Sequence, residues 1–344
     1  MSLHPRLDLG LMFSFRNPAA WRRPFTETYR NELALIEDAE RLGYDTIWLT
    51  EHHFADDGYS PSIIPLAAAI AARTERVRIG FNLLLLPLHN AVRMAEDIAT
   101  LDVLSGGRID VGLGQGYARH EFEGFGVDRA VRLGLFREGL DVLKGLWTND
   151  TFSYSGKHYD IKDARLVPKP VQQPMPPLWI GATSEPGVRR AGLRGANLLG
   201  LTNPKLQQVY EQARTEAGLP LDTAKSLQLH WGHVADSDDQ AWEEAAPHFH
   251  HLLSVYAQWI VEAEDPGNTV RNAVIPPVEE LRTSRPVLFK PVFGAPAAVA
   301  ESLNRSIGAV HTTHLALGML PGMDPAVARG SMERFARSVA PLLA

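Results

Sequence analysis

The chain of 344 residues contains no cysteine. This absence excludes disulfide bonds, thiolate nucleophiles and zinc or iron–sulfur centres held by cysteine. No run of about 18 apolar residues occurs, so we expect no membrane-spanning helix, and the first six residues lack the apolar core of a signal peptide. The formal net charge of −6 argues against a general nucleic-acid surface. These features predict a cytoplasmic protein without membrane or nucleic-acid partners.

The segment after Gly43 ends in a polar cluster. Gly43 is typical of a helix C-cap, the residues that follow are β-branched or aromatic, and Glu51, His52 and His53 come directly after them. Ligands of an α/β barrel or a doubly wound sheet bind where the parallel strands end. The cluster is therefore a candidate site. A loop with ordinary solvated histidines is the alternative that so short a motif leaves open.

Strand and helix patterns alternate along the whole chain. Besides the segment after Gly43, strands are predicted at 7–13, 77–86, 108–113, 178–181, 197–202, 227–235 and 312–317. Eight strand–helix pairs predict an α/β fold, a TIM barrel with loop insertions that forms one domain over residues 1–344. A small hairpin is predicted at 152–159. The proline-rich segment 265–291 is too long for a plain connector, so we expect a lid or substrate loop there.

Three further segments are predicted to lie at the same ends of the strands. They are Asn82–Leu83, Gly114–Tyr117 and Thr183–Ser184. Glycines after a strand usually allow a backbone conformation that other residues rarely adopt. Those at 112–116 do not have the spacing of a dinucleotide-binding loop. They would, however, let a large planar ligand approach the backbone. Hydroxyl groups at a helix N-terminus suit a phosphate, and a plain N-cap is equally consistent with them.

The histidines do not follow the metal-binding pattern of barrel hydrolases. Those enzymes hold zinc or a metal pair through a His-x-His motif on the first strand, where alternate side chains face the same way. The first predicted strand has no histidine, and the adjacent His52 and His53 would point to opposite faces. Only His230 and His233 add histidines on a later strand. We expect no metal centre and regard metal-dependent hydrolysis as a weak alternative.

Longer motifs give a family resemblance. They are TEHHF at 50–54, LLLPLHN at 84–90, EDIATLDVLSGGR at 96–108, GLGQGY at 112–117, the segments 121–128 and 168–177, and FGAPAAVAE at 293–301. In this order and combination they resemble the bacterial luciferase-like flavin-dependent monooxygenases. The resemblance covers nearly the whole chain, and the combination is much more specific than any one motif.

The resemblance implies an oxidoreductase that binds reduced FMN at the carboxyl ends of the barrel strands. A separate NAD(P)H:flavin reductase usually supplies the flavin, and O2 adds at flavin C4a to give a peroxide that inserts one oxygen atom into a small organic substrate. The flavin carries the redox chemistry, while the protein positions it and excludes water. The resemblance also implies a homodimer, formed through the helices after strands two and three.

The resemblance assigns roles to particular residues. His52 matches the family's catalytic histidine, and an imidazole suits proton transfer near neutral pH. Glu51 and His53 match the rest of that motif and are expected to hold the ring and the strand end. Asn82–Leu83 matches the place where the family often has a non-proline cis peptide against the flavin. Contacts with the ribityl chain and phosphate are expected from Gly114, Gln115, Gly116, Tyr117, Thr183 and Ser184.

Two departures from luciferase itself make light emission an unexpected role. Gln115 stands where luciferase carries a phosphate-binding arginine, so Arg189, Arg190 or the helix terminus must compensate the phosphate charge. Gly114 stands where luciferase has a cysteine near the flavin.

Three alternative functions remain open. The first is the metal-dependent hydrolysis considered above. The second is an oxidoreductase of the same superfamily that uses deazaflavin F420 for hydride transfer, and the third is a non-catalytic flavin-binding protein. The pocket would be formed by the loops 14–24, 56–60 and 265–291, and hydrophobic residues such as Trp21, Tyr59 and Trp231 indicate an apolar substrate.

Overall fold

Eight parallel strands form a closed barrel in the computed structural model, which describes residues 2–201, 203–263, 274–284 and 288–344. The strands in chain order are β1 (Asp8–Phe13), β2 (Thr46–Leu49), β3 (Arg78–Phe81), β4 (Leu84–Leu85), β5 (Ile109–Gly114), β6 (Phe152–Ser155), β7 (Asp160–Ala164), β8 (Leu178–Gly181), β9 (Asn197–Leu199), β10 (Ser226–Val234), β11 (Pro291–Gly294) and β12 (His314–Gly318). The barrel runs β1-β2-β3-β5-β8-β9-β10-β12, and β12 pairs with β1 to close it. The predicted TIM barrel is confirmed.

Helices alternate with the strands of the barrel. They are α1 (Phe25–Leu42), α2 (Ile63–Ala71), α3 (Ala91–Ser105), α4 (Arg119–Gly124), α5 (Arg132–Thr148), α6 (Glu185–Leu193), α7 (Pro204–Glu216), α8 (Asp238–Glu262), α9 (Pro296–Ile307) and α10 (Pro325–Arg334). Gly43 ends α1 in the left-handed conformation at φ 97°, as its C-cap position predicts. Asn90 caps α3 by accepting hydrogen bonds from the backbone N–H groups of Val92 and Arg93. None of the helices in the described ranges combines the length and apolarity that a membrane span requires.

The structure corrects the predicted elements in three places. The strand predicted at 77–86 is two strands, β3 and β4, separated at Asn82–Leu83. The helix α4 was not predicted, because its six residues are too few for a helical pattern to show. The strand β11 was also missed. It begins at Pro291, and proline normally argues against a strand, but at the first position it leaves the pairing with β10 intact.

Two tryptophans fill the inside of the barrel below its mouth. Trp48 of β2 and Trp179 of β8 pack edge to face with ring centroids 5.4 Å apart, and both are buried. A β-carbon at Gly80 of the neighbouring strand β3 would lie 2.4 Å from the Trp48 ring. Glycine at that position therefore makes room for the indole.

A largely buried carboxyl group, with 19% of its side chain exposed, lies at the opposite end of the barrel from the strand C-termini. Asp8 begins β1, and its Oδ1 accepts a hydrogen bond of 2.6 Å from the Thr46 hydroxyl. Burial raises the pKa of Asp8 to about 7, and the negative charges of Asp45 and Asp110 add to the effect. The folded protein thus holds a neutral carboxylic acid there at mildly acidic pH.

Two predicted loop features have different outcomes. A hairpin begins at Phe152 as predicted, but its second strand, β7, lies beyond the predicted end at residue 159, and residues 156–159 form the turn. Of the lid or substrate loop predicted at 265–291, residues 265–273 and 285–287 lie outside the described residues, and the described part contains a short 3-10 helix at Val278–Glu280.

Candidate active site

The polar cluster after β2 is buried at the mouth of the barrel, where the strands end. Glu51, His52 and His53 are 2%, 7% and 5% exposed. The alternative of ordinary solvated histidines is therefore wrong. Buried polar side chains need partners, and the contacts that these three residues make define the site.

His52 is held by a carboxylate from α4. Its Nδ1 lies 2.8 Å from Oε1 of Glu121, and the same oxygen accepts a hydrogen bond of 2.9 Å from the backbone N–H of His53. Glu121 is 0% exposed. Within the described residues, Nε2 of His52 makes no hydrogen bond to the protein, so this nitrogen is free for chemistry. Sequence reasoning placed Glu121 only within a family motif and missed its contact with His52.

Aromatic rings surround the His52 imidazole. Ring centroids lie at 4.4 Å for Trp259, 4.8 Å for Tyr59, 5.8 Å for Tyr256 and 6.0 Å for Tyr117. Burial raises the pKa values of all three tyrosines, so their phenols stay neutral. The result is an apolar enclosure with phenol hydroxyls as its polar groups. Tyr256 and Trp259 come from α8, and neither residue was assigned a role from the sequence.

A buried ion pair supports the Tyr59 side of this enclosure. The guanidinium of Arg16 lies 4.7 Å from the centre of the Tyr59 ring, and its Nε donates to Asp57 at 2.6 Å. His251 of α8 also contacts Asp57, at 2.9 Å. Burial opposes the charge on Asp57, but His251 and Arg16 outweigh it and lower the pKa of that carboxyl. From the sequence, Arg16 and Asp57 were placed only in the predicted pocket loops 14–24 and 56–60, and their contact was not revealed.

Glu51 connects the end of β2 to the next strand–helix connection. Its Oε2 accepts a hydrogen bond of 2.6 Å from the backbone N–H of Leu85, and its Oε1 lies 2.7 Å from Nε2 of His89 and 3.2 Å from Nε2 of His53. Burial by itself would raise the pKa of Glu51, but the contacts with His53 and His89 outweigh it and lower the pKa to about 2. Glu51 is thus a permanent carboxylate that holds the strand end, as expected.

The same three residues have the composition of a metal site. Ligand atoms of Glu51, His53 and His89 lie within 4.8 Å of one another. In a tetrahedral site with bonds of about 2.0 Å, however, two ligand atoms are about 3.3 Å apart. The 2.7 Å separation of Glu51 and His89 is that of a hydrogen bond instead. The shortest of the distances therefore favours a hydrogen bond between Glu51 and His89, while the 3.2 Å between Glu51 and His53 is close to the spacing of two metal ligands.

The two histidines of β10 take part in other contacts. Nε2 of His230 lies 3.2 Å from Oε1 of Gln228, and Nε2 of His233 lies 2.6 Å from a carboxylate oxygen of Glu244 on α8. Burial lowers the pKa of His230 to about 4. Neither histidine belongs to the group of possible metal ligands around Glu51 in the described part of the chain.

Leu83 forms an apolar surface at the barrel mouth. The peptide bond between Asn82 and Leu83 is cis, as the resemblance led us to expect. A β-carbon at Gly114 would lie 2.6 Å from the Leu83 side chain, and one at Gly181 would lie 2.7 Å from it. Glycines at the ends of β5 and β8 therefore let Leu83 lie across the mouth, where a flat ring can rest on it.

The other predicted cofactor contacts lie towards the surface on the same side. Gln115, Thr183 and Ser184 are exposed, and Gly116 turns the chain at φ 70°. Ser184 stands at the N-cap of α6, but its side chain makes no capping hydrogen bond. The first N–H groups of α6 are thus not satisfied by this hydroxyl, and they remain suited to an anion.

The two arginines considered for phosphate binding differ in their partners. Arg189 forms an ion pair of 2.6 Å with Glu216. Arg190 forms no ion pair within the described residues. Burial lowers its pKa, and the positive charges of Arg137 and Arg194 lower it further. Arg190 is therefore the better candidate to meet a negative charge.

Comparison with known proteins identifies the family. A model of the luciferase-like monooxygenases matches residues 7–309. The chain belongs to the luciferase-like monooxygenase family. Relatives in this family are oxidoreductases, and both flavin-dependent and F420-dependent members occur among them.

Three similar proteins illustrate this range. The 4-hydroxyprotoasukamycin monooxygenase of Streptomyces nodosus subsp. asukaensis is 28% identical over 98% of this chain and 92% of its own. An F420-dependent glucose-6-phosphate dehydrogenase of Kineococcus radiotolerans is 28% identical over 89% of this chain and 90% of its own. The oxygenating constituent of 3,6-diketocamphane monooxygenase from Pseudomonas putida, solved with FMN, has a TM-score of 0.80 at 22% identity and covers 98% of this chain and 99% of that one.

Proposed function

We propose that this luciferase-like protein is a two-component monooxygenase that inserts one oxygen atom of O2 into a small, apolar organic substrate. Reduced FMN is its cofactor, and a separate NAD(P)H:flavin reductase supplies it. The observation that carries the proposal is the buried, oriented imidazole of His52 in an aromatic enclosure at the barrel mouth. We further propose that the protein acts as a cytoplasmic homodimer, with the apolar, 62% exposed Leu104 of α3 at the contact.

The residues at the mouth fit a flavin. Leu83 offers an apolar floor of the kind that a planar ring system needs, and Gly114 and Gly181 make room for its side chain at the mouth. The N-terminus of α6 and the side chain of Arg190 offer N–H groups and positive charge for a phosphate where Gln115 replaces an arginine. The flavin, when bound, supplies the activation of O2.

The protein's own groups have three tasks in this proposal. Leu83 and the glycines position the ring, while Tyr59, Tyr256 and Trp259 exclude water from the reacting atoms. His52 moves a proton at its free Nε2, because the other ring nitrogen is engaged with Glu121. The hydroxyls of Tyr59 and Tyr256, 2.9 Å apart, give a bound substrate a neutral hydrogen-bonding partner.

A hydride-transferring enzyme that uses F420 is the second candidate, since F420-dependent relatives match most of this chain. Equilibrium binding of reduced FMN and of F420, measured under anaerobic conditions by fluorescence, separates the two. Tighter binding of F420, together with absence of O2-dependent product, would favour this second function. A non-catalytic flavin-binding role would give reduced-flavin binding without any product, and it leaves the buried pair of His52 and Glu121 without a purpose.

The test is a panel of aldehydes, ketones, alkanes and terpenes with reduced FMN, a flavin reductase and O2, with products detected by mass spectrometry. We expect His52→Ala to lower turnover at least tenfold without changing the circular dichroism spectrum or the affinity for FMN. His311→Ala, which removes an exposed imidazole at the other end of the barrel, is the matched control and should retain full turnover. Unchanged turnover in His52→Ala would refute the role of His52.

A further inference from the structure

We infer that Glu121 is a positioning residue that fixes His52 in the tautomer with its proton on Nδ1, so that Nε2 presents a lone pair and acts as the proton acceptor of the site. The inference deepens the proposed function and rests on it for its catalytic meaning. The tautomer itself follows from contacts within the protein.

The first step concerns the oxygen that His52 meets. Oε1 of Glu121 is 2.9 Å from the backbone N–H of His53, and a backbone N–H can only donate. This oxygen is therefore already an acceptor when it meets Nδ1 of His52 at 2.8 Å. A carboxylate oxygen that accepts from both neighbours requires a proton on Nδ1. The lone pair of the neutral ring then lies on Nε2.

The second step concerns the fixed orientation of the ring. Trp259 packs against one side of the imidazole at 4.4 Å and Tyr59 meets it edge to face at 4.8 Å. A ring flip would bring a carbon atom to Oε1 and remove one of the two hydrogen bonds of the fully buried carboxyl group, leaving only the one from the His53 backbone N–H. Packing and hydrogen bonding thus select the same orientation, with Nε2 away from Glu121.

The third step concerns charge. The titratable side chains that face His52 from the surrounding elements are Glu121 of α4, Tyr59 after β2, Tyr117 after β5 and Tyr256 of α8. Burial raises the pKa values of the tyrosines and keeps them neutral. Arg16 lies behind Tyr59 and is paired with Asp57. Within the described residues, Glu121 is accordingly the carboxyl group in contact with the ring.

These steps define one direction of proton transfer. The proton leaves a donor bound at the mouth, the N–H bond forms at Nε2, and the imidazolium that results keeps its Nδ1–H donated to Glu121. A carboxylate at hydrogen-bond distance stabilises that cation. Removing the negative charge while keeping the acceptor oxygen should therefore weaken the base without disturbing its orientation.

The experiment uses the full chain labelled with 15N in its histidine rings, and it needs neither flavin nor substrate. His52→Ala assigns the His52 signals by their loss. In the wild type we expect the Nδ1–H tautomer. In Glu121→Gln, whose amide oxygen can still accept from both N–H groups, we expect the same tautomer and a titration midpoint lower by about one pH unit or more, because an opposite charge in contact is lost.

Two further variants complete the design. Glu123→Gln lies on the same short helix, removes an exposed carboxylate that pairs with Arg119 at 2.6 Å, and should leave the His52 titration unchanged. Glu121→Leu removes the acceptor and should allow both tautomers. If that variant does not fold, the wild-type tautomer and the Gln variant still decide the matter.

Each outcome counts for or against the inference. An Nε2–H tautomer in the wild type overturns it, and so does a titration midpoint in Glu121→Gln equal to that in Glu123→Gln. With an active substrate in hand, the acidic limb of the kcat/KM profile should shift in Glu121→Gln by the same amount as the NMR midpoint. Failure of the wild type to form any product would count against the proposed function and would leave the NMR result standing.

Discussion

Replacing Glu51 by glutamine tests how strongly the buried carboxylate holds the barrel mouth. Its Oε1 contacts His89 and His53, and its Oε2 accepts from Leu85. The amide of glutamine can still accept from the Leu85 N–H, but it brings no charge to the two imidazoles. The variant keeps the shape of the side chain and removes the electrostatic part of the interaction.

The pKa of Glu51 gives the magnitude. A fall from the ordinary 4.5 to about 2 corresponds to about 3 kcal/mol of stabilisation when the carboxyl is ionised in both states. Because the folded pKa is depressed, this stabilisation is fully present above pH 4.5 and is lost as the pH falls towards 2. We expect Glu51→Gln to be less stable by about 3 kcal/mol at pH 6 and by about 1 kcal/mol at pH 3.

Urea unfolding followed by circular dichroism at pH 6, 4 and 3 measures this difference. Glu96→Gln is the matched control, because the Glu96 side chain is 49% exposed and lies 3.3 Å from Arg93 on the surface of α3. It should change the stability by less than about 0.5 kcal/mol at each pH. Two results would show that the charge of Glu51 does not stabilise the mouth. One is a loss of unfolding free energy in Glu51→Gln below about 1 kcal/mol at pH 6, and the other is a loss that is no smaller at pH 3 than at pH 6.

Two more predictions concern the other end of the barrel and the question of a metal. Burial raises the pKa of Asp8 to about 7, so the folded protein loses stability as the pH rises from 4 to 7. Asp8→Asn removes the ionisable group and keeps the acceptor for Thr46. We expect this variant to be more stable than the wild type by about 2 to 4 kcal/mol at pH 8. Unfolding midpoints at pH 5 and pH 8 measure the gain, and a gain that is equal at both would contradict the cause. Dialysis against EDTA should leave turnover unchanged, since Glu51 and His89 lie at the distance of hydrogen-bond partners. Stoichiometric zinc or iron in elemental analysis would contradict this expectation.

The alternation of apolar strands and helices in the sequence was sufficient to predict the barrel. Each strand has its own local pattern, and eight of them fill the sheet in chain order apart from the short additions β4 and β11. Local signals failed where a strand was short or interrupted. Four residues beginning at Pro291 carry too little pattern to be distinguished from the loop before them.

The site could be predicted only in part. Glu51, His52 and His53 were found because they follow a strand directly, and strand ends meet at one face of a barrel. Glu121 was not assigned a role, because its approach to His52 depends on how α4 packs over the mouth. The same holds for Trp259, whose place beside His52 follows from the tertiary course of α8. Contacts between segments far apart in the chain do not alter the spacing of apolar residues in either segment, so the sequence pattern does not reveal them.

The enclosure around His52 divides the catalytic pocket between two parts of the chain. The imidazole and its carboxylate come from the first half, whereas two of the rings that cover them come from α8 in the second half. Substitutions in α8 can therefore reshape the enclosure while the contact between His52 and Glu121 stays intact. The shape of the space beside the imidazole and the orientation of the imidazole itself are thus determined by separate parts of the chain.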